Sequence, residues 1–141
     1  MAKYKVYEGY VRKDYTPKIP KPDVLPAPNI VTTRDGIPLQ FKGCEGAAIR
    51  VLHPTNPNAP SQNFGITMLY MPPHSHLPMA SHEPEECYVI LEGEGTMTFT
   101  EGTREVKKGD FIHLPAWCEH SIDNTGDQPL TVLVATSPTN P

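Results

Sequence analysis

No segment of this 141-residue chain carries apolar residues at the helical period, and no apolar run approaches membrane-spanning length. Neither a helical bundle nor a membrane-crossing helix is therefore expected. Cysteine is scarce: Cys44, Cys87 and Cys118 make neither a CxxC pair nor an even disulfide set, which suits a reducing compartment. The first residues, MAKYKVYEGY, lack the apolar core of a secretory signal, so the expected location is the cytoplasm. Basic charge is sparse and dispersed, with 12 Lys and Arg against 16 Asp and Glu and a net charge of −4. That balance presents no basic stripe, and neither nucleic acid nor membrane is expected as a partner. No internal repeat is visible, and the length is that of one domain.

What is abundant is turn chemistry. The 17 prolines and 10 glycines separate short runs that read as strands: IPLQF, GAAIRVLH, FGITMLYM, ECYVILEG, GTMTFTEG, REVKKGDFIHLP, HSIDN and PLTVLVAT. The separators NPNAP, the stretch around Pro72 and Pro73, EGEG and NTGDQ all favour turns. Strands at this spacing predict an all-β sandwich or barrel over residues 36–141. In TMTFT, Met97 and Phe99 share a face opposite Thr96, Thr98 and Thr100, so both are expected to point inward as pocket wall. Residues 1–35 differ in character. Tyr4, Tyr7, Tyr10 and Tyr15 precede Pro17, Pro20, Pro22, Pro26 and Pro28, a composition that forbids a helix and predicts an extended N-terminal arm. Such an arm cannot bury its tyrosines on itself, so a homodimer is expected in which each arm crosses the neighbouring barrel; the plain alternative is a disordered tail.

Two stretches carry the chemistry. In HSHLPMASHEPEECYVILEG, from His74 to Gly93, His82 precedes Glu86 and Glu86 precedes Gly93. In GDFIHLPAWCEHSIDN, from Gly109 to Asn124, Gly109 is followed by Pro115, Trp117, His120 and Asn124. The joint spacing resembles the two sequence signatures of the cupin superfamily. The resemblance implies a single cupin-type β-barrel, a jelly-roll-like double sheet, with each block spanning two short strands and their turn. It also implies that His82, Glu86 and His120 hold one divalent transition metal. One position departs from the pattern: the family's first histidine, two before His82, is Ala80 here.

Elementary chemistry bears on the same residues. Glu86, Tyr88 and Ile90 share a parity, so a strand here carries a carboxylate on the face of its large side chains. Such a carboxylate needs a cation or hydrogen-bond donors. Imidazole and carboxylate together suit Fe, Zn, Mn, Ni or Cu, and two histidines with one carboxylate leave coordination positions open. Taken singly, each of the three reads better as a surface or hydrogen-bonded histidine or a solvated acid; only their joint spacing favours a metal site. The vacancy at Ala80 admits three readings: a centre of His82, Glu86 and His120 alone; a centre completed by His76 or His74 on a loop that folds back between Pro73 and Pro78; or a metal-free barrel. Four residues of extended chain cover roughly 13 Å, so His76 reaches the place of residue 80 only through such a fold-back.

Other residues are candidates for catalytic work. Tyr88 would donate to a substrate oxygen or act as a general acid, unless it is a packing aromatic. His74 and His76 would serve as a general base if they do not bind metal, unless they form a solvated loop. Trp117 would narrow or roof the pocket beside His120, unless it packs at the rim. Glu83, Glu85 and Glu119 read as a solvated acidic rim, and His113 and Asn124 as structural. Three functions stay open: a metalloenzyme of lyase, isomerase, decarboxylase or hydrolase type acting on a small oxygen-rich molecule, an iron-dependent dioxygenase, and a non-catalytic metabolite-binding barrel.

Overall fold

The computed structural model describes residues 3–7, 9 and 13–141. Among the described residues, ten strands follow a 3-10 turn at Thr33–Asp35: β1 (Ile37–Leu39), β2 (Ala47–Leu52), β3 (Gly65–Met71), β4 (Ser75–Ala80), β5 (Glu85–Glu92), β6 (Glu94–Phe99), β7 (Gly102–Lys107), β8 (Phe111–Leu114), β9 (His120–Asn124) and β10 (Leu130–Ser137). They pair antiparallel throughout, in a six-stranded sheet of order β1-β2-β3-β10-β5-β8 and a four-stranded sheet of order β4-β9-β6-β7. Among the described residues no helix is long and apolar enough to cross a membrane. The all-β double sheet expected from the turn-separated runs is the fold of the protein.

Two departures from the expected strand list have physical causes. REVKKGDFIHLP is two strands, because Gly109 turns the chain at φ 94° between β7 and β8. The proline-flanked stretch after Pro73 was expected as a separator and instead contains β4. Pro78 is tolerated there because β4 is an edge strand and its pairing with β9 slips between Leu77 and Ala80, where a missing N–H leaves no ladder bond unmade.

The inner faces of the two sheets form the core. Leu69, Ile90, Val132 and Leu130 on the larger sheet and Met97 and Ile122 on the smaller are at most 1% exposed. Each such side chain contributes roughly 1.5–3 kcal/mol. Strand register lines residues up in rows across the larger sheet: Leu39, Ala48, Leu69, Val132 and Ile90 form one, and Ile37, Arg50, Thr67, Val134, Tyr88 and Ile112 the next. The first row is wholly apolar and closes the core. The second carries Arg50, Thr67 and Tyr88, and it is the floor of a cavity. Gly93 makes the β5–β6 turn possible: it sits at φ 83°, and a Cβ there would lie 2.4 Å from the Pro129 carbonyl oxygen.

The described residues before Thr33 contain no strand and are largely exposed, with Tyr4 92% and Ile30 92% accessible. Tyr10 lies outside the described residues.

Candidate metal centre

Glu86 enters the site as the second residue of β5, whose alternation turns Glu86, Tyr88 and Ile90 inward. His120 opens β9, and its partner across the sheet is Ala80 on β4. His82 stands in the short connection from β4 to β5. That connection is fixed from outside: the Trp117 N–H donates to the His82 carbonyl at 2.8 Å, and the Ser81 hydroxyl donates to the Trp117 carbonyl at 2.8 Å.

The three side chains converge. Glu86 Oε1 lies 2.7 Å from His82 Nε2 and 3.0 Å from His120 Nε2, and the two imidazoles meet edge to face at 5.3 Å between centroids. Glu86 and His120 are buried and His82 is half-buried. Both rings turn their other nitrogen to a main-chain carbonyl: His82 Nδ1 to Pro84 at 3.0 Å and His120 Nδ1 to Cys118 at 2.8 Å. A carbonyl only accepts, so each Nδ1 carries the hydrogen and each neutral ring presents a bare Nε2 to the carboxylate. Three lone pairs then face one point, and Glu86 Oε1 is left buried without a hydrogen-bond donor. A buried acceptor in that state needs a cation.

The donor set fits a divalent transition ion. Donors that share such an ion at right angles stand about 3 Å apart for bonds of about 2.1 Å; the two Glu86–imidazole separations are close to that, and all three donor atoms lie within 4.8 Å of one another. Histidines held through Nδ1 by carbonyls and offering Nε2 are in the tautomer that metal ligation requires. In the absence of an ion, a proton takes its place. Burial alone would lower the pKa of His120, but the Glu86 carboxylate and the Cys118 carbonyl outweigh it, and the pKa lies above the ordinary imidazole value.

Tyr88 stands next to the centre, its ring 5.7 Å from that of His120 and nearly perpendicular to it. Burial, then the negative charges of Glu86 and Cys44, push its phenol far above the usual range, so it stays protonated and able to donate. The centre and Tyr88 open into a cavity of about 410 Å³. Apolar side chains make most of its wall, including Leu39, Phe41, Leu69, Leu77 and Val134, with Thr67, Lys42 and Arg50 as polar members.

Several expected site residues are elsewhere. His76 does not fold back toward residue 80: β4 runs extended through it, and its ring is on the outer face, paired with Asp123 of β9. His74 is exposed in the turn before β4. Met97, fully buried, belongs to the core and not to the cavity wall. Phe99 and Trp117 border a different surface hollow, and Trp117 is 63% exposed. Trp117 instead serves the site through its main chain, which holds His82. His113 pairs on the surface with Glu85.

Arg50, Thr67, Leu77 and Met79 line the cavity without having been anticipated. Val134 had a signal in the alternation of PLTVLVAT. Arg50 had none, because Ile49 and Val51 flank it with apolar side chains of the opposite parity. The pairing of β2 with β3 slips between Arg50 and Leu52, and that irregularity accompanies an inward Arg50.

The cupin domain model matches residues 67–136, a span that holds His82, Glu86 and His120. An uncharacterised protein of Methanocaldococcus jannaschii is 38% identical over 96 residues, which cover 67% of this chain and 75% of that protein. Gentisate 1,2-dioxygenase of a Streptomyces species is 26% identical over 95 residues; the match takes in 65% of this chain but only 26% of the enzyme. Among solved structures, the polyketide cyclase RemF of Streptomyces resistomycificus superimposes with a TM-score of 0.68 at 20% identity, covering 79% of this chain and 80% of its own. Fold, ligand spacing and matched span agree, and the chain belongs to the cupin superfamily.

Proposed function

We propose that this protein is a metal-dependent enzyme that carries out non-oxidative chemistry, of lyase, isomerase, decarboxylase or hydrolase type, on a small oxygen-bearing molecule. A divalent ion held by His82, Glu86 and His120 would supply Lewis acidity toward a substrate carbonyl or enolate oxygen. The observation that carries the proposal is the buried Tyr88 phenol in the same cavity as the converging triad. Tyr88 would donate a hydrogen bond to the oxygen where negative charge develops, while the apolar walls exclude water. Glu86 and His120 fix the site through their burial, and the Pro84 and Cys118 carbonyls hold the two imidazoles in orientation.

Tyr88→Phe is expected to keep the metal and to lower turnover by about 10²–10³-fold. The check is to assay a panel of small carbonyl-containing acids and esters with oxygen strictly excluded, alongside elemental analysis of the same samples. Undiminished turnover in Tyr88→Phe would remove the phenol from the mechanism. A second reading, an iron-dependent dioxygenase, is favoured by the two-histidine, one-carboxylate set, in which Ala80 adds no donor opposite His120, and by the similarity to gentisate 1,2-dioxygenase. Turnover that requires oxygen and iron would establish that reading instead.

The exposed arm motivates an oligomeric proposal as well. Tyr4, Tyr7, Val24 and Ile30 are each more than 70% accessible, and a homodimer in which each arm covers its neighbour would bury them. Light scattering should give twice the chain mass of 15.6 kDa, and a shortened chain beginning near Val31 should give the monomer mass. A monomeric full chain would end the idea.

A further inference from the structure

The cavity has a second polar end that the metal centre leaves unused. Arg50 lies in the same cross-strand row as Tyr88, separated from it by Thr67 and Val134. Three inter-strand steps of about 4.8 Å put the two Cα atoms roughly 14 Å apart, so a small molecule fits between an inward guanidinium and the triad. Among the described residues no Asp or Glu side chain pairs with Arg50. Its Nη2 donates instead to the main-chain oxygen of Pro141 at 2.6 Å, and the tail is steadied by Asn140, whose carbonyl lies 2.6 Å from His53 Nε2. Asn140 and Pro141 both border the cavity. The Pro141 oxygen thus occupies the position of a ligand's oxygen acceptor on Arg50.

Charge points the same way. Lys42 and Arg50 line the cavity with a single acidic side chain, Glu86, and the oxygen of Pro141 that Arg50 already holds. A divalent ion on the triad makes the cavity more positive still. Burial disfavours the charged form of Arg50, which is compensated when an anion joins it. The remaining wall is largely apolar and suits a carbon skeleton.

We propose that Arg50, with Thr67 beside it, is the specificity-determining anchor for a carboxylate, so that the substrate is a small carboxylic acid held by Arg50 at one end and presented to the triad at the other. This rests on the reading of the triad as the catalytic centre. The guanidinium fork matches the two carboxylate oxygens, and the incoming acid displaces the Pro141 oxygen.

The test is calorimetry on the full chain, metal-free and zinc-loaded, with three probes: succinate, its neutral diamide, and inorganic phosphate. Succinate should bind at least about tenfold more tightly than the diamide in both forms, the discrimination expected of a charge-assisted pair. Arg50→Gln should abolish that preference while zinc affinity, read by competition with a chromogenic chelator, stays unchanged. Arg50→Lys, which keeps charge but not the fork, should retain only part of it and serves as the second variant if the first fails to fold. Equal binding of succinate and diamide by the natural protein, a preference for phosphate, or full succinate affinity in Arg50→Gln would each overturn the proposal. A wild-type chain that prefers succinate but binds no zinc would uphold the Arg50 site and remove the metal reading.

Discussion

Glu86→Gln is expected to stabilise the metal-free protein and to erase the stabilisation that a metal gives. In the metal-free state at alkaline pH, where His120 has lost the proton it would otherwise share with Glu86, Glu86 Oε1 is buried against two bare imidazole nitrogens, 2.7 and 3.0 Å away, with no donor. A glutamine amide in its place offers two hydrogens, one for each Nε2, and removes a buried charge. Relieving an unsatisfied buried acceptor is worth about 1–3 kcal/mol, or a rise in Tm of roughly 3–8 °C for a domain of this size. The loaded form moves in the opposite direction. An ion at a thousandfold excess over its dissociation constant stabilises by about 4 kcal/mol, and the amide, lacking the anionic ligand, forfeits most of that. Thermal unfolding in EDTA and in excess zinc measures both effects. A Glu86→Gln protein that melts lower than the natural one in EDTA, yet keeps its zinc-induced gain, would show that Glu86 is satisfied by something other than a cation.

The second large effect is on pH. The folded-state pKa of His120 is raised above its unfolded value near 6.5. Its protonation therefore stabilises the metal-free fold fully below about pH 6.5, and this contribution is lost as pH rises through the raised folded value. Metal binding has the opposite slope, because each Nε2 must be free of a proton to ligate. As pH rises above about 6.5 the metal-free protein should lose stability while the zinc-induced gain in Tm grows. Melting curves taken in EDTA and in zinc across that range should diverge toward alkaline pH; parallel curves would mean that the ion binds away from His120.

The three converging side chains were legible in the sequence for different reasons. Glu86 follows from strand alternation alone, and its burial beside Tyr88 and Ile90 was legible from the shared parity in ECYVIL. His82 and His120 were legible only through their joint spacing with Gly93, Gly109 and Pro115, since nothing local tells a ligand from a surface histidine. The vacancy at Ala80 was legible too, and the register explains why it matters: residue 80 faces His120 across β4 and β9. What misled was the neighbourhood of β4. Two prolines and two histidines read as an irregular loop, whereas an edge strand with one slip in its ladder accommodates Pro78 and turns His76 outward to Asp123. Met97 faces inward as its alternation required, but inward there means the core beneath the smaller sheet. Whether an inward residue meets core or cavity depends on how two sheets diverge, which no single strand encodes. Arg50 is the strongest case, because local alternation favours its apolar neighbours and only the pairing of β2 with β3 brings it into the cavity.

The measurement that bears most directly on the metal centre is elemental analysis of the purified chain beside the His82→Ala/His120→Ala double variant, each after exposure to iron, zinc, manganese, nickel and copper in turn. One divalent ion per chain in the natural protein and none in the double variant is the expected result. Full occupancy in the double variant, or no retention of any of the five metals by the natural chain, would contradict a metal site built from His82, Glu86 and His120.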